Sequence, residues 1–168
     1  SGEIKTLNEA KIASEKISFP LLVKPVYGGG GKGIFKINHE KELEDLFRNL
    51  ASESWFTNSY SNLFIEKQIP NARHIEFQIL ADKHGNVLHL GARDCTVQRR
   101  FQKIIEEYPS PVLDEKLRQR MAEDAVKTIK RLNYCGIATV EFLVNSNNYF
   151  FLEINPRIQV EHGITEMV

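Results

Sequence analysis

Residues 151–162 read FLEINPRIQVEH, and the charged or amide side chains Glu153, Asn155, Arg157, Gln159 and Glu161 recur at every second position. Side chains of an extended backbone alternate between faces, so this spacing predicts all five on one face, where acids, amides and a guanidinium converge. The apolar run at 149–152 ties that face to a buried sheet. A solvated strand edge would instead carry Lys, Thr and Ser. The segment therefore constrains the chain to a β-containing fold with a site built on one of its strands.

At 168 residues and 42% hydrophobic, the chain suits one domain or a piece of a larger one, with enough apolar surface for a real core. Lysine plus arginine and aspartate plus glutamate number 22 each, so no global field steers the molecule to nucleic acid or a membrane, and neither is expected as a partner. Any anion must be met locally. Cys95 and Cys135 stand far apart without a zinc-ligand or CxxC pattern, which argues for a reduced, intracellular setting. The expectation is cytoplasmic, or mitochondrial in a eukaryote. No run reaches the ~20 apolar residues of a membrane span, and residues 1–20 lack the order of a signal peptide.

Thr6 and Glu9 read as a capping box for a helix carrying Ala10, Ala13 and Ile17. Leu21, Leu22 and Val23 read as a buried strand, followed by Lys24, the glycine-rich run Gly28, Gly29, Gly30, Gly31, Lys32 and Gly33, and a second strand at Ile34, Phe35 and Ile37. Leu43, Leu46, Phe47 and Leu50 follow at helical spacing with Asn38 as the cap, and 52–62 reads as loop. Leu63, Ile65 and Ile69 predict a strand. Ile75, Phe77 and Ile79 predict another, with His74, Glu76 and Gln78 on its other face. A turn at 82–86 returns the chain through 87–90 to a meander ending at Arg93, Asp94 and Cys95. From Asp114 a long helix turns Leu117, Met121, Ala125, Ile129 and Leu132 inward and stops at Gly136. Residues 139–144 and 149–154 close a hairpin. The fold class is α+β: antiparallel sheets with flanking helices, with a subdomain boundary near 68–73.

Glycines lack Cβ and let backbone N–H groups close on phosphate oxygens. A P-loop or a dinucleotide fingerprint would open a helix, whereas Lys32 and Gly33 precede a β-like run. Two readings remain, a flap between antiparallel strands that folds over a triphosphate and a bare hairpin turn. Lys24 at its mouth is placed for phosphate contact, against the plainer role of a snorkelling surface lysine. Glu141 and Glu153 lie on consecutive strands. A three-residue loop sets them face to face, where only a cation between them reverses the repulsion, while a four-residue loop would set Leu152 opposite Glu141. Two carboxylates and the Asn155 amide oxygen are hard ligands suited to Mg²⁺ or Mn²⁺. Arg93, Arg99, Arg100 and Lys103 form a local positive patch, read as neutralising phosphate or bicarbonate. His74 serves either a ribose hydroxyl or Glu76. His162 beside Glu161 stays open between a structural and a functional role, and Cys95 reads as core.

The glycine run, Glu66-Lys67, ARHIEFQ, RDCTVQRRFQKIIEE, the paired acids and EINPRIQVEH occur in an order that resembles the biotin carboxylases of the ATP-grasp superfamily, with their carbamoyl-phosphate synthetase L chain-like ATP-binding domain. The likeness covers nearly the whole chain. It implies two subdomains with nucleotide between them, residues 1–68 as the small one with its flap and 69–168 as the first part of a truncated large one. It implies a ligase that uses MgATP and bicarbonate to form carboxyphosphate and then carboxylates biotin on a carrier domain, working with a carboxyltransferase in a homo-oligomer. Residue by residue, it makes Lys24, Lys32 and Gly28 to Gly33 the phosphate cradle. Glu66, with the Lys67 and Ile69 backbones, would line adenine, and His74 and Gln98 would face the ribose. Lys103 would meet the reacting phosphate, and Glu141, Glu153 and Asn155 would bind the metal. Arg157, Gln159 and the Val160 amide would hold bicarbonate, and Glu161 would be the general base. Phe101 and Gly163 depart from the pattern, standing where His or Asn and where Pro or Thr are usual. The chain reads as a central fragment that retains at most weak ATP binding and no biotin carboxylation by itself. The alternatives are another ATP-grasp ligase of the carbamoyl-phosphate synthetase type and a nucleotide-binding module inactive in isolation.

Overall fold

The computed structural model describes residues 1–27, 33–52 and 62–168. Gly28, Gly29, Gly30, Gly31 and Lys32, and residues 53–61 of the expected loop, lie outside the described residues. The chain forms two compact units, residues 1–69 with 100–102, and residues 70–99 with 103–168.

The first unit contains β1 (Glu3–Ile4), α1 (Leu7–Ile17), β2 (Leu21–Pro25), β3 (Phe35–Ile37), α2 (Glu40–Ser52) and β4 (Leu63–Lys67). Its antiparallel sheet has the order β1-β4-β2-β3. The capping box starts α1: Thr6 Oγ1 accepts the Glu9 N–H at 3.2 Å and the Glu9 carboxylate accepts the Thr6 N–H at 3.0 Å. Val23 lies between Phe35 and Ile65 in register, and with Leu21, Ile37 and Leu63 it packs on Ala10, Leu43 and Leu50 of the two helices. Alternation leaves Leu22, Lys24, Phe64 and Glu66 on the opposite face. Two local expectations change. Asn38 lies one residue too far out to cap α2, and instead its backbone N–H donates to Glu42 at 2.7 Å. β4 ends before Ile69.

The second unit contains β5 (Arg73–Ala81), β6 (Val87–Arg99), β7 (Gln102–Glu107), α3 (Glu115–Arg131), β8 (Gly136–Asn145), β9 (Asn148–Asn155) and α4 (His162–Glu166), with sheet order β7-β6-β5-β8-β9. Ile75, Phe77, Ile79, Val140, Phe142 and Val144 line one face and bury Leu117, Met121, Ala125 and Ile129 of α3. The expected helix stop is corrected: Asn133, which adopts φ 49°, ends α3 early, and Gly136 opens β8. Leu132 is its exposed C-cap, not an inward residue. β6 runs on past Cys95 to Arg99, and β7, which carries Lys103, had no counterpart in the sequence reading.

Two one-residue bulges decide what the other face of this sheet displays. Phe77 pairs with Ala92 but Ile79 pairs with His89, so Leu90 and Gly91 together oppose Gln78. Gly91 adopts φ 84°, and a Cβ there would fall 2.8 Å from Tyr108 Cζ, so both backbone and space require glycine. Strict alternation from His89, which meets the core ring Phe77 edge-on, would send Arg93 into the core. The bulge sends Ala92 there and Arg93 to the far face. The β8–β9 hairpin repeats the device. Its end pair is Asn145 with Asn148, leaving a two-residue loop that on its own would set Leu152 opposite Glu141; the register then slips so that Leu152 is the extra residue and Glu153 faces Glu141. The expected facing acids are present, reached by a two-residue loop and a bulge where a three-residue loop was expected.

Candidate functional site

The far face of the second sheet carries a buried polar network. Arg93 has no exposed surface, and its Nε donates to Glu76 Oε1 at 2.6 Å, its Nη1 to Gln78 Oε1 at 2.9 Å and to Thr165 Oγ1 at 3.0 Å. The other Glu76 oxygen takes Lys103 Nζ, which also donates to Glu141 Oε1 at 2.9 Å and to Glu161 Oε1 at 2.6 Å. Strands β5, β6, β7 and β8 and the turn before α4 each contribute to this meeting point. Three carboxylates, Glu76, Glu141 and Glu161, surround two permanent cations, Arg93 and Lys103, so the cluster retains negative character that favours one further positive charge.

Burial alone would lower the Lys103 pKa, but the charges of Glu76 and Glu141 and the hydrogen bonds to Glu161 and Glu76 outweigh it and hold the ammonium well above its ordinary range. Burial would raise Glu141, yet its contact with His74 and the charge and hydrogen bond of Lys103 bring it down to about 2. Glu161 is likewise opposed by burial and lowered on balance, chiefly by Lys103. All three groups are charged at neutral pH. Cys95, fully buried on this same face, has its thiol pushed up by desolvation and by Glu76, so it is a packing group and not a nucleophile.

His74 makes no hydrogen bond to Glu76, the expected partner within the chain. Its Nε2 lies 2.8 Å from Glu141 Oε2, in poor alignment for a hydrogen bond, and 4.0 Å from Glu76. Gln98 Nε2 donates to Cys95 O at 2.7 Å and approaches His74 Nδ1 at 2.8 Å, which fixes the amide nitrogen as donor and places the imidazole proton on Nε2, towards Glu141.

At the acid pair, Asn155 Nδ2 donates to Glu141 Oε1 at 3.0 Å and to exposed Glu153 Oε1 at 3.2 Å. An N–H donor thus stands where two carboxylates converge. Turning that amide over presents its oxygen instead, giving three hard oxygen donors around one point, a set that fits Mg²⁺ or Mn²⁺. Gln159 is buried, donates to Glu141 Oε1 at 3.1 Å, and leaves Oε1 unpartnered among the described residues.

The expectation of five side chains on one strand face is corrected. β9 ends at Asn155, because Pro156 has no N–H for the ladder and the Arg157 N–H turns back onto Asn155 O at 2.9 Å. Gln159 and Glu161 reach the network from the following turn. Arg157 does not: it is exposed and its guanidinium donates to Ile158 O at 3.1 Å. Val160 is 97% exposed. His162 pairs with Glu166 one helical turn on. The positive patch dissolves, since Arg93 is buried against Glu76 while Arg99 and Arg100 are exposed. Arg93 and Glu76 were missed as a pair. The available signal was an acid between apolar Ile75 and Phe77 with an arginine in its cross-strand position.

In the first unit, Lys24 forms an ion pair with Glu66 and lies 6.0 Å from the Phe64 ring centroid. Lys67 Nζ donates to Ser18 O at 3.1 Å and Phe19 O at 2.7 Å, which leaves the roles expected of Lys67 and Ile69 to their backbones. Gly33 adopts φ 73°. Phe101 stacks under Lys36, 5.6 Å from centroid to Nζ. Gly163 has nothing described within 4 Å of a Cβ position, so space does not demand glycine there.

The family described as carbamoyl-phosphate synthase L chain, ATP binding domain matches residues 1–168. A pyruvate carboxylase of Staphylococcus aureus is 47% identical over 167 residues, covering 99% of this chain and 14% of that protein. Among solved structures, the biotin carboxylase of Campylobacter jejuni in a βγ-ATP complex superposes with a TM-score of 0.91 at 43% identity, covering 99% of this chain and 38% of that one. The biotin carboxylase domain dimer of Hydrogenobacter thermophilus 2-oxoglutarate carboxylase, in complex with MgADP, ADP and bicarbonate, gives a TM-score of 0.90 at 43% identity, with coverage of 99% and 37%. The chain thus spans between about a seventh and two fifths of the length of these relatives.

Proposed function

Because this chain belongs to the carbamoyl-phosphate synthase L chain ATP-binding domain family, we propose that it is the central catalytic segment of a biotin carboxylase, a ligase that activates bicarbonate with MgATP and passes the carboxyl group to biotin. Its two antiparallel sheets with flanking helices are the ATP-grasp fold. The observation that carries the reading is the Glu141–Glu153 pair bridged by Asn155, next to a Glu161 carboxylate held on Lys103. The named solved relatives bind βγ-ATP in one case, and MgADP and bicarbonate in the other.

A divalent cation held by Glu141, Glu153 and Asn155 would offset the phosphate charge. The remaining work belongs to this chain's own side chains. Lys24, Lys32 and Gly28 to Gly33 would grip the phosphates, Glu66, Lys67 and Ile69 the adenine, and His74 and Gln98 the ribose. Bicarbonate is a weak nucleophile whose proton must leave as it attacks phosphorus. Glu161, ionised through its bond to Lys103, is the acceptor. Lys103 would turn one N–H towards the transferring phosphoryl group while its other donors keep Glu76 and Glu141 in place. Gln159, with an unpartnered buried oxygen, and the exposed Arg157 and Val160 N–H complete the bicarbonate site once substrate is present. The carrier-borne biotin, the carboxyltransferase and a homo-oligomeric assembly belong to the same proposal.

Glu161→Gln in the complete protein tests it: ATP binding should persist while bicarbonate-dependent ATP hydrolysis falls by about 10²-fold or more. Unchanged turnover would reject Glu161 as base, and loss of ATP affinity would reassign it to nucleotide binding.

A further inference from the structure

We propose that Arg93 is a positioning residue which, through Thr165, sets the helix that carries the base, so that one buried guanidinium aligns Glu76, Lys103 and Glu161 together. This rests on the biotin carboxylase reading above and adds a residue that never meets substrate. Arg93 is sealed from solvent and directs donors two ways: Nε to Glu76, whose other oxygen grips Lys103, and Nη1 to both Gln78 on the same strand as Glu76 and Thr165 on α4. A weaker contact at 3.5 Å reaches Thr139 Oγ1.

The reason this matters lies in α4. Glu161 is its N-cap residue and Thr165 lies near its other end, yet none of its residues is buried. A helix with no apolar anchor takes its position from polar contacts and the chain leading into it. Among the described residues, two side-chain bonds reach from Glu161 and α4 to the sheet, Glu161 to Lys103 at 2.6 Å and Arg93 to Thr165 at 3.0 Å. Both run back to Glu76, the first through Lys103 and the second through Arg93, so the sheet and the helix close a single loop of charge-assisted bonds. Removing the Thr165 hydroxyl opens that loop on the helix side only, since Arg93 Nη1 keeps Gln78 as a partner.

The test is Thr165→Val, nearly isosteric, and Thr165→Ser, which keeps the hydroxyl, in the complete protein. Bicarbonate-dependent ATP hydrolysis is followed with ATP binding and thermal unfolding. The expected result for Thr165→Val is a kcat about tenfold lower from a misplaced base, with KM for ATP unchanged and the unfolding temperature near that of the wild type; Thr165→Ser should recover most of kcat. A Thr165→Val enzyme within twofold of wild-type kcat would overturn the proposal. So would a kcat loss that Thr165→Ser fails to restore, or one that tracks a fall in unfolding temperature. Arg93→Lys, which supplies no planar fork, should be at least as impaired as Thr165→Val. If the wild-type protein shows no bicarbonate-dependent hydrolysis, it is the functional reading that fails, and the variants are then compared by the mobility of α4 in hydrogen exchange. Faster exchange in Thr165→Val alone would support the tether, and equal exchange would reject it.

Discussion

Replacing Glu141 by Gln removes a buried charge while keeping its shape, and the effect on stability should depend steeply on pH. In the folded protein the contact with His74 and the bonds from Lys103 bring Glu141 from an ordinary 4.5 down to about 2. At about 1.4 kcal/mol per pH unit, that gap corresponds to about 3 kcal/mol. Because the folded pKa is depressed, the stabilisation is fully present above the unfolded value and disappears as pH falls through the folded one. At neutral pH the wild type should therefore be more stable than Glu141→Gln by about 3 kcal/mol. Lys103 keeps Glu76 and Glu161 in the variant, so the protein should still fold. Towards pH ~2 a protonated Glu141 becomes nearly equivalent to glutamine, and the two stability curves should converge. Urea unfolding of both proteins at several pH values checks this, and the titrations they share largely cancel in the difference. Parallel curves, or a neutral-pH difference below about 1 kcal/mol, would show that Glu141 is not held by these partners.

Deleting Leu152 removes the extra residue of the β9 bulge and should restore plain alternation with Glu153 still opposite Glu141, leaving a soluble, cooperatively unfolding protein; a loss of several kcal/mol in urea unfolding, as expected if Glu153 and Asn155 were turned onto the α3 face as unpaired polar groups, would refute the register argument. Gly91→Ala should cost about 1–3 kcal/mol in thermal or urea unfolding, from its left-handed backbone together with the collision with Tyr108. In a Tyr108→Ala background the penalty should shrink to about 1 kcal/mol.

What could be read from the sequence was what local chemistry determines. The Thr6–Glu9 box, the α3 stripe of Leu117, Met121, Ala125 and Ile129, and the two acids of the last hairpin each follow from residues a few positions apart. The errors share a different origin. Whether Arg93 enters the core or the site depends on a bulge at Leu90 and Gly91 that no local pattern marks, and over Gly91 packs Tyr108 from farther along the chain. The even spacing from Glu153 to Glu161 predicts one continuous strand, yet Pro156 divides it and leaves Arg157 outside the cluster. Asn133 ends α3 ahead of Gly136, because asparagine tolerates the left-handed conformation too. β7 escaped notice because its exposed Ile104 and Ile105 break the alternation expected of a half-buried strand.

The lack of any buried residue in α4 also bears on how the molecule breathes. An element fastened by ionic and hydroxyl contacts can detach without opening the α3 core, so its excursions belong to a separate, cheaper cooperative unit than global unfolding. The strength of the Lys103 and Arg93 contacts should therefore set how often Glu161 swings away, independently of how stable the domain is as a whole.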